Sequence, residues 1–153
     1  PGLRALEKYA VATGGGENHR RGLDDGILVK DNHKRAAGGL DGVVRRLKAA
    51  GGDLSRAELE VETLEEARIA ADAGAGWILL DNMTVDTIRE AVQLIGGRAN
   101  VEVSGGLRPG NLRPYAEAGP RRLSLGVLTH GARSADVALE WRETAPHRSE
   151  RLG

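Results

Sequence analysis

The sequence contains no cysteine and no phenylalanine, and aromatic residues occupy only 3% of its 153 positions. The lack of cysteine excludes disulfide bonds, thiolate nucleophiles and cysteine-ligated zinc, and it suits a cytoplasmic location. The scarcity of aromatic residues disfavours single-stranded nucleic acid as a partner, because proteins bind such strands by stacking bases on aromatic side chains.

Net charge and long apolar runs are missing as well. Lys and Arg number 22, as do Asp and Glu, so the molecule as a whole has no field that would attract nucleic acid or a membrane surface. No apolar run approaches the roughly 20 residues of a membrane span, and no signal peptide is recognisable. We therefore expect a cytoplasmic protein with no nucleic acid and no membrane as partner, in which any anion site is local.

Helical and strand patterns alternate along the chain. Periodicity and glycine stops predict helices at 3–12, 40–50, 65–73, 85–95 and 112–118, and strands at 27–29, 57–62, 77–80, 101–103 and 123–125. Such alternation is typical of βαβ units and a parallel sheet. Because every predicted strand ends in polar or glycine residues, the strand ends should converge on one mouth, as in an α/β barrel.

Five strands are too few for the usual eight-stranded parallel barrel. We therefore expect a partial parallel α/β barrel of the TIM-like type over residues 1–140, with an N-terminal domain and the first strand absent from this chain. The chain starts at Pro1, not Met, and a helical pattern follows at once, which agrees with that expectation. Residues 141–153 are charged and should form a flexible tail.

Four basic side chains gather near the start of the chain. A glycine-rich turn leads to His19 and Arg20, and the apolar run at 27–29 leads to Lys30 and His33. This grouping predicts a site for a small polyanion rather than for an apolar ligand.

Carboxylates follow the strand pattern at 57–62, which places Glu58, Glu60 and Glu62 on one face. Since the apolar face must meet the helices, all three should point into the barrel, with Lys30 as their counter-charge. A solvated acidic face on an edge strand would give the same pattern.

Asp81 ends the next predicted strand. Together with Glu60 it offers hard oxygens for Mg²⁺ or for sugar hydroxyls. Alternatively, Asp81 is the N-cap of the following helix.

Two strand-to-helix connections are rich in glycine, namely Ser104-Gly105-Gly106 and Gly126 to His130. Their free backbone N–H groups would suit a phosphate, and late strands of α/β barrels often carry such sites. Ordinary turns use the same residues, and His130 could equally be a surface histidine.

Several motifs together resemble the quinolinate phosphoribosyltransferase family. In chain order they are Pro1-Gly2-Leu3-Arg4, Gly14-Gly15-Gly16 with Asn18-His19-Arg20, Gly22-Leu23 with Asp25, Leu28 to His33, Glu58 to Val61, Leu79 to Met83, Ser104-Gly105-Gly106, and Gly126 with Leu128-Thr129-His130. The Lys-Asp-Asn-His and Asn-His-Arg motifs are the specific ones, and the glycine turns are not.

The resemblance implies a Mg²⁺-dependent enzyme of NAD synthesis that converts quinolinate and phosphoribosyl pyrophosphate into nicotinate mononucleotide, pyrophosphate and CO₂. It assigns the carboxylates of quinolinate to His19, Arg20 and Lys30. It assigns the ribose and the metal-bound pyrophosphate to Glu60 and Asp81, and the 5′-phosphate to Ser104, Gly105, Gly126 and His130. Lys30, Glu60 and Asp81 would be the catalytic residues, acting through position and charge.

The chain departs from the family's pattern in three places. A Thr-Arg-Lys-Thr strand end and an N-terminal domain, which in the family covers the partner subunit's active site, do not precede Pro1. We therefore expect a homodimer or higher homo-oligomer for the full-length protein, and weak or no activity for this chain alone. Arg21 replaces a large apolar or aromatic residue, and Pro120-Arg121-Arg122 replaces a small, apolar and acidic approach.

Two alternative functions stay open at this point. One is a related phosphoribosyltransferase of the type associated with molybdenum transport, which would use another acceptor. The other is a catalytically incompetent barrel fragment that only binds phosphorylated ligands.

Overall fold

The computed structural model describes residues 2–141; Pro1 and residues 142–153, which include most of the predicted tail, lie outside the described residues. The helices are α1 (Arg4–Thr13), α2 (Asp31–Ala37), α3 (Leu40–Ala49), α4 (Leu64–Ala73), α5 (Val85–Ile95), α6 (Leu112–Glu117) and α7 (Val127–His130), with a 3₁₀ turn at Leu54–Arg56. The strands are β1 (Ile27–Val29), β2 (Ala57–Val61), β3 (Trp77–Asp81), β4 (Asn100–Ser104) and β5 (Arg122–Leu123).

The strands form one parallel sheet in the order β1-β2-β3-β4-β5. Each strand therefore pairs with the next one along the chain, as in a barrel wall and unlike an open sheet with a switch point. The register aligns Glu60 with Leu79, Leu79 with Glu102, and Glu102 with Arg122. The predicted partial α/β barrel is confirmed, and its carboxyl-terminal strand ends lie together.

The core lies between the sheet and the helices. Side chains on the helix-facing side of β2, β3 and β4 are almost wholly buried: Leu59, Val61, Ile78, Leu80, Val101 and Val103. They pack in one cluster with small and branched residues of α4 and α5, namely Ala67, Ala70, Ile88, Ala91 and Ile95. The opposite faces of the strands therefore point into the barrel interior. Within the described residues, no helix has the length and apolar character needed to cross a membrane.

The structure corrects several local predictions. The segment after β1 is helix α2, for which no helix is predicted from the sequence, and the His33 Nδ1 accepts the Lys30 backbone N–H at 2.9 Å, which stabilises the helix start. The first strand lies at the sheet edge with Ile27 38% exposed, so it is less buried than its apolar run suggests. The last connection contains α7, which the glycine content concealed.

Helix α1 begins and ends close to the predicted positions, but no residue of it is buried. Leu6 is 64% exposed and Tyr9 is 70% exposed, and Leu3, just before the helix, is 58% exposed. The apolar face that the sequence pattern predicts is therefore present but uncovered within the described residues.

Lys34 of α2 is a buried cation that connects α2 to the start of α4. Its Nζ lies 2.9 Å from Glu66 Oε2 and 3.7 Å from Glu62 Oε2, and the Lys34 residue is 5% exposed. Glu66 also accepts the Glu62 backbone N–H at 2.8 Å. The Lys34 ammonium thus neutralises the Glu66 carboxylate, which holds the backbone in place directly after β2.

Replacing Lys34 with methionine should lower the free energy of unfolding by about 2 kcal/mol, because the Glu66 carboxylate loses its cation while the apolar stem is kept. Urea denaturation followed by circular dichroism measures this difference. Lys48→Met in α3 is the matched control, because Lys48 is exposed. Equal stability of the two variants would contradict the structural role of Lys34.

Candidate active site

A cavity of about 800 Å³ opens at the carboxyl ends of the strands, between the inner face of the sheet and the helix α1. Six of the nine predicted site residues line it: His19, Arg20, Lys30, Glu60, Asp81 and Ser104. The parallel topology brings the strand-end residues Lys30, Glu60, Asp81 and Ser104 together, whereas His19 and Arg20 come from the segment between α1 and β1.

Basic side chains predominate on one side of the cavity and acidic ones on the other. Arg4, Lys8, Arg20 and Arg21 line it from α1 and the segment that follows, and Asp31, Glu60, Asp81 and Glu102 line it from the sheet and the start of α2. Glu7 on the first side and Lys30 on the second are the exceptions. An anionic group would bind against the first set, and a group that carries or develops positive charge would be stabilised by the second.

The segment that carries His19 and Arg20 is fastened to α1. Asn18 donates from Nδ2 to the Lys8 carbonyl oxygen at 2.8 Å, and Lys8 donates from Nζ to the His19 carbonyl oxygen at 2.8 Å. The Nδ1 of His19 accepts the Arg20 backbone N–H at 2.9 Å, which leaves Nε2 free to face the sheet. Sequence analysis named His19 and Arg20 as site residues, and both line the cavity, but it did not name Lys8 and Asn18, which hold them.

His19 meets two carboxylates of the barrel interior. Its Nε2 lies 3.4 Å from Glu58 Oε2 and 3.6 Å from Glu102 Oε1. The hydrogen bond with Glu58 is the largest cause that raises the pKa of His19; burial opposes the rise, and the charges of Glu58 and Glu102 add to it. The two carboxylates therefore favour a proton on Nε2, the nitrogen that faces them.

Glu60 and Asp81 form the carboxylate pair of the anionic side. Burial is the largest cause that raises the pKa of Glu60, and the charge of Asp81 adds to it, whereas the Asp31 backbone N–H and the Lys30 charge oppose it. A half-buried carboxylate beside a second one is a suitable place for a cation. The hard oxygens of this pair therefore fit Mg²⁺.

Asp81 is held in place at the end of β3. It accepts hydrogen bonds from the Ser104 hydroxyl and from Asn82 Nδ2. The N-cap of α5 is Thr84, whose Oγ1 accepts the Thr87 backbone N–H at 3.2 Å, so the alternative of Asp81 as an N-cap is wrong. The Asp81 carboxylate thus remains available to the cavity.

The expectations about the acidic strand β2 are met in part. Glu62 follows the last residue of the strand, and its side chain is 57% exposed beside Lys34 instead of pointing into the barrel, so the expectation for Glu62 is wrong. Lys30 acts as a counter-charge to Glu60, but the partner of Glu58 is His19. The alternative of a solvated edge strand also fails, because β2 lies between two strands and the Glu58 side chain is only 12% exposed.

The glycine connections contribute to the site unequally. Gly105 adopts a φ of +93°, and any side chain there would collide with Asn82, so only glycine fits between the ends of β3 and β4. His130 is exposed and its imidazole lies over Gly126. Gly105, Gly126 and His130 are not among the described residues that line the cavity, and their assignment to a phosphate stays a prediction.

Sequence analysis missed the most deeply placed ion pair of the barrel interior. Glu102 is wholly buried and accepts hydrogen bonds from the Ser124 hydroxyl and from Arg122 Nη1, the latter at 3.0 Å. Burial works to lower the pKa of Arg122, but its hydrogen bonds to Glu102 and Glu17 outweigh this and raise it. A buried Glu on the inner face of one strand requires a cation on the next, and that rule would have found Arg122.

His19, Glu58 and Glu102 also bring possible metal-ligating atoms within 4.8 Å of one another. His19 Nε2 already faces both carboxylates, and Arg122 is paired with Glu102. The pair Glu60 and Asp81 is therefore the better match to a divalent cation.

Comparison with known proteins agrees with this geometry. The family model described as "Quinolinate phosphoribosyl transferase, C-terminal domain" matches residues 1–140. The chain is 43% identical over 140 residues to a "Probable nicotinate-nucleotide pyrophosphorylase [carboxylating]" of Bacillus subtilis, covering 92% of this chain and 48% of that protein. It is 44% identical over 143 residues to the "Nicotinate-nucleotide pyrophosphorylase [carboxylating]" of Mycobacterium leprae, covering 92% of this chain and 50% of that protein.

Solved structures give the same result. The crystal structure of NadC from Streptococcus pyogenes superposes with a TM-score of 0.82 and 41% sequence identity, covering 89% of this chain and 48% of that chain. This chain spans about half the length of the curated relatives that it matches. On the family match, the identity to these relatives and the shared fold, the chain belongs to the quinolinate phosphoribosyltransferase family, as its C-terminal domain.

Proposed function

We propose that the protein transfers the phosphoribosyl group of phosphoribosyl pyrophosphate to quinolinate, with decarboxylation, in NAD synthesis. The observation that carries this proposal is the single cavity in which a cationic side faces a carboxylate pair. Quinolinate brings two carboxylates and a ring nitrogen, and the sugar develops positive charge as its pyrophosphate leaves. Both requirements are met by the two sides of this cavity.

The acceptor would bind to His19, Arg20 and Lys30. All three line the cavity, so that two cations and an imidazole stand where a dianionic ligand would bind. An unpaired donor of Arg20 supports this assignment, because its Nε is buried without a hydrogen-bond partner in the described residues. A carboxylate is the natural acceptor for that N–H.

The phosphoribosyl donor would bind along the opposite side. Glu60 and Asp81 would take the ribose hydroxyls and hold Mg²⁺, and Ser104, Gly105, Gly126 and His130 would take the 5′-phosphate. When bound, Mg²⁺ would neutralise the pyrophosphate oxygens and so improve the leaving group. The chain's own carboxylates would stabilise the positive charge that develops on the sugar ring.

The reaction forms one bond to the sugar and breaks another. The ring nitrogen of quinolinate bonds to C1′ as the bond from C1′ to pyrophosphate breaks, and pyrophosphate leaves with the electron pair. The carboxylate next to the ring nitrogen then leaves as CO₂, and a proton takes its place. Lys30 would position the acceptor while the protein supplies orientation and charge without a covalent intermediate.

For the full-length protein we propose a homodimer or a higher homo-oligomer. The uncovered apolar side chains Leu3, Leu6 and Tyr9 on and before α1 lie next to the cavity-lining residues Arg4 and Lys8, where further protein could cover both. The cytoplasmic location stays a prediction.

The full-length protein, incubated with quinolinate, phosphoribosyl pyrophosphate and Mg²⁺, should release nicotinate mononucleotide, which mass spectrometry detects. A panel of other aromatic acids in place of quinolinate separates the related phosphoribosyltransferase with another acceptor. Binding of phosphoribosyl pyrophosphate without any product from any acceptor would favour the binding-only alternative. No product and no binding at saturating substrates would refute the proposal.

A further inference from the structure

Arg122 occupies an unusual position at the start of β5. Its guanidinium lies 4.0 Å from the centroid of the Trp77 ring, so the aromatic face supports the cation from one side. The N–H groups at its edge reach two carboxylates at once: Nη1 donates to Glu102 Oε2 at 3.0 Å, and Nε donates to Glu17 Oε2 at 3.2 Å. The Arg122 side chain is 31% exposed.

Both carboxylates lie close to His19, one in space and the other along the chain. Glu102 lies 3.6 Å from the His19 Nε2, and Glu17 precedes His19 by two residues in the same segment. The opposite flank of this segment is held by α1 through Lys8 and Asn18. Arg122 therefore adds a second attachment of the segment to the floor of the barrel, beside the contact of His19 with Glu58.

Only arginine has the shape for this arrangement. A planar guanidinium can stack on Trp77 while its edge donates to Glu102 and Glu17, whereas a lysine ammonium is a point charge that serves one carboxylate well. A lysine at this position would keep the charge beside the buried Glu102 but would lose Glu17 and the stacking.

From these contacts we propose that Arg122 is a positioning residue for the acceptor: stacked on Trp77, it fixes the segment of residues 17–20 so that His19 and Arg20 are held in place for a dicarboxylate. This inference rests on the proposed function for the identity of the acceptor. The donor side, at Glu60 and Asp81, is not contacted by Arg122 in the described residues. Arg122 should therefore affect one substrate and not the other.

The test compares steady-state kinetics of Arg122→Lys and Arg121→Gln with the unaltered full-length protein. Arg122→Lys should raise the KM for quinolinate about tenfold, while kcat and the KM for phosphoribosyl pyrophosphate change less than about twofold. Arg121→Gln is the matched control, because Arg121 is exposed and its guanidinium contacts Asn100. It should leave all three constants unchanged.

A second variant tests the contact between Arg122 and Glu17 by changing Glu17. The Glu17 side chain is 76% exposed, so Glu17→Gln should fold normally. It should raise the KM for quinolinate about threefold, and the double variant with Arg122→Lys should be no worse than Arg122→Lys alone, since both changes break one contact. Full additivity of the two changes would overturn the proposal.

Other results overturn it as well: equal loss for both substrates, an effect on kcat alone, or the same effect in Arg121→Gln. Calorimetric binding of quinolinate to the same variants separates this inference from the proposed function. If the unaltered protein makes no nicotinate mononucleotide but Arg122→Lys binds quinolinate more weakly, the proposed function fails and the positioning role stands. If the unaltered protein binds no quinolinate, both fail.

Discussion

Asp81→Asn should lower kcat of the full-length protein by about a thousandfold, the loss expected when a fixed charge that stabilises the transition state is removed. The carboxylate ends β3 and is oriented by the Ser104 hydroxyl and Asn82. Asparagine has the same size and keeps a side-chain oxygen, but it offers no negative charge to Mg²⁺ or to the sugar. The loss should therefore appear in turnover, whereas the affinity for quinolinate should stay unchanged.

Rapid-quench measurement of pyrophosphate release gives this result directly, and calorimetry gives the quinolinate affinity. Asp86→Asn is the matched control, because Asp86 is exposed in the first turn of α5 and pairs with Arg89. A kcat for Asp81→Asn within about tenfold of the unaltered protein would remove Asp81 from the catalytic residues.

Lys30→Ala should weaken quinolinate binding by about a hundredfold and leave the binding of phosphoribosyl pyrophosphate nearly unchanged, because the lost cation belongs to the acceptor carboxylates. Lys30 lies at the join of β1 and α2, where it lines the cavity, and its backbone carbonyl and N–H groups start the helix. Alanine keeps those backbone groups, so α2 should be retained.

Calorimetric titration of each substrate separately measures both affinities, and Lys48→Ala on the exposed face of α3 is the control. The charge of Lys30 also works to lower the pKa of Glu60, so its loss should raise that pKa further. Equal weakening of both substrates would contradict the assignment of Lys30 to the acceptor.

Much of the architecture follows from local pattern. The alternation at residues 57–61 places Leu59 and Val61 in the core and Glu58 and Glu60 inward, because a strand between a helix layer and a barrel interior has two unlike faces. Lys30 follows β1, and Asp81 and Ser104 are the last residues of β3 and β4, so parallel pairing brings these three polar residues to one cavity.

The parts that sequence reasoning missed depend on contacts between distant segments. Glu62 continues the alternation, but the strand ends at Val61. The exposed Glu62 side chain lies beside Lys34 of helix α2 instead. Arg122 and Trp77 are 45 positions apart, and nothing in the local pattern of either predicts that one stacks on the other. The partner of a buried charge is a tertiary property, so it emerges only once the register of β4 and β5 is known.

The lengths of the strands affect how readily the sheet can pair with another chain and aggregate. The edge strands β1 and β5 have three and two residues, whereas β2, β3 and β4 have five each. A short edge presents few free backbone groups to a passing chain, and short edges are one of the ways in which natural sheets avoid aggregation. The described part of the chain therefore confines its long strands to the middle of the sheet and offers little template for fibril growth.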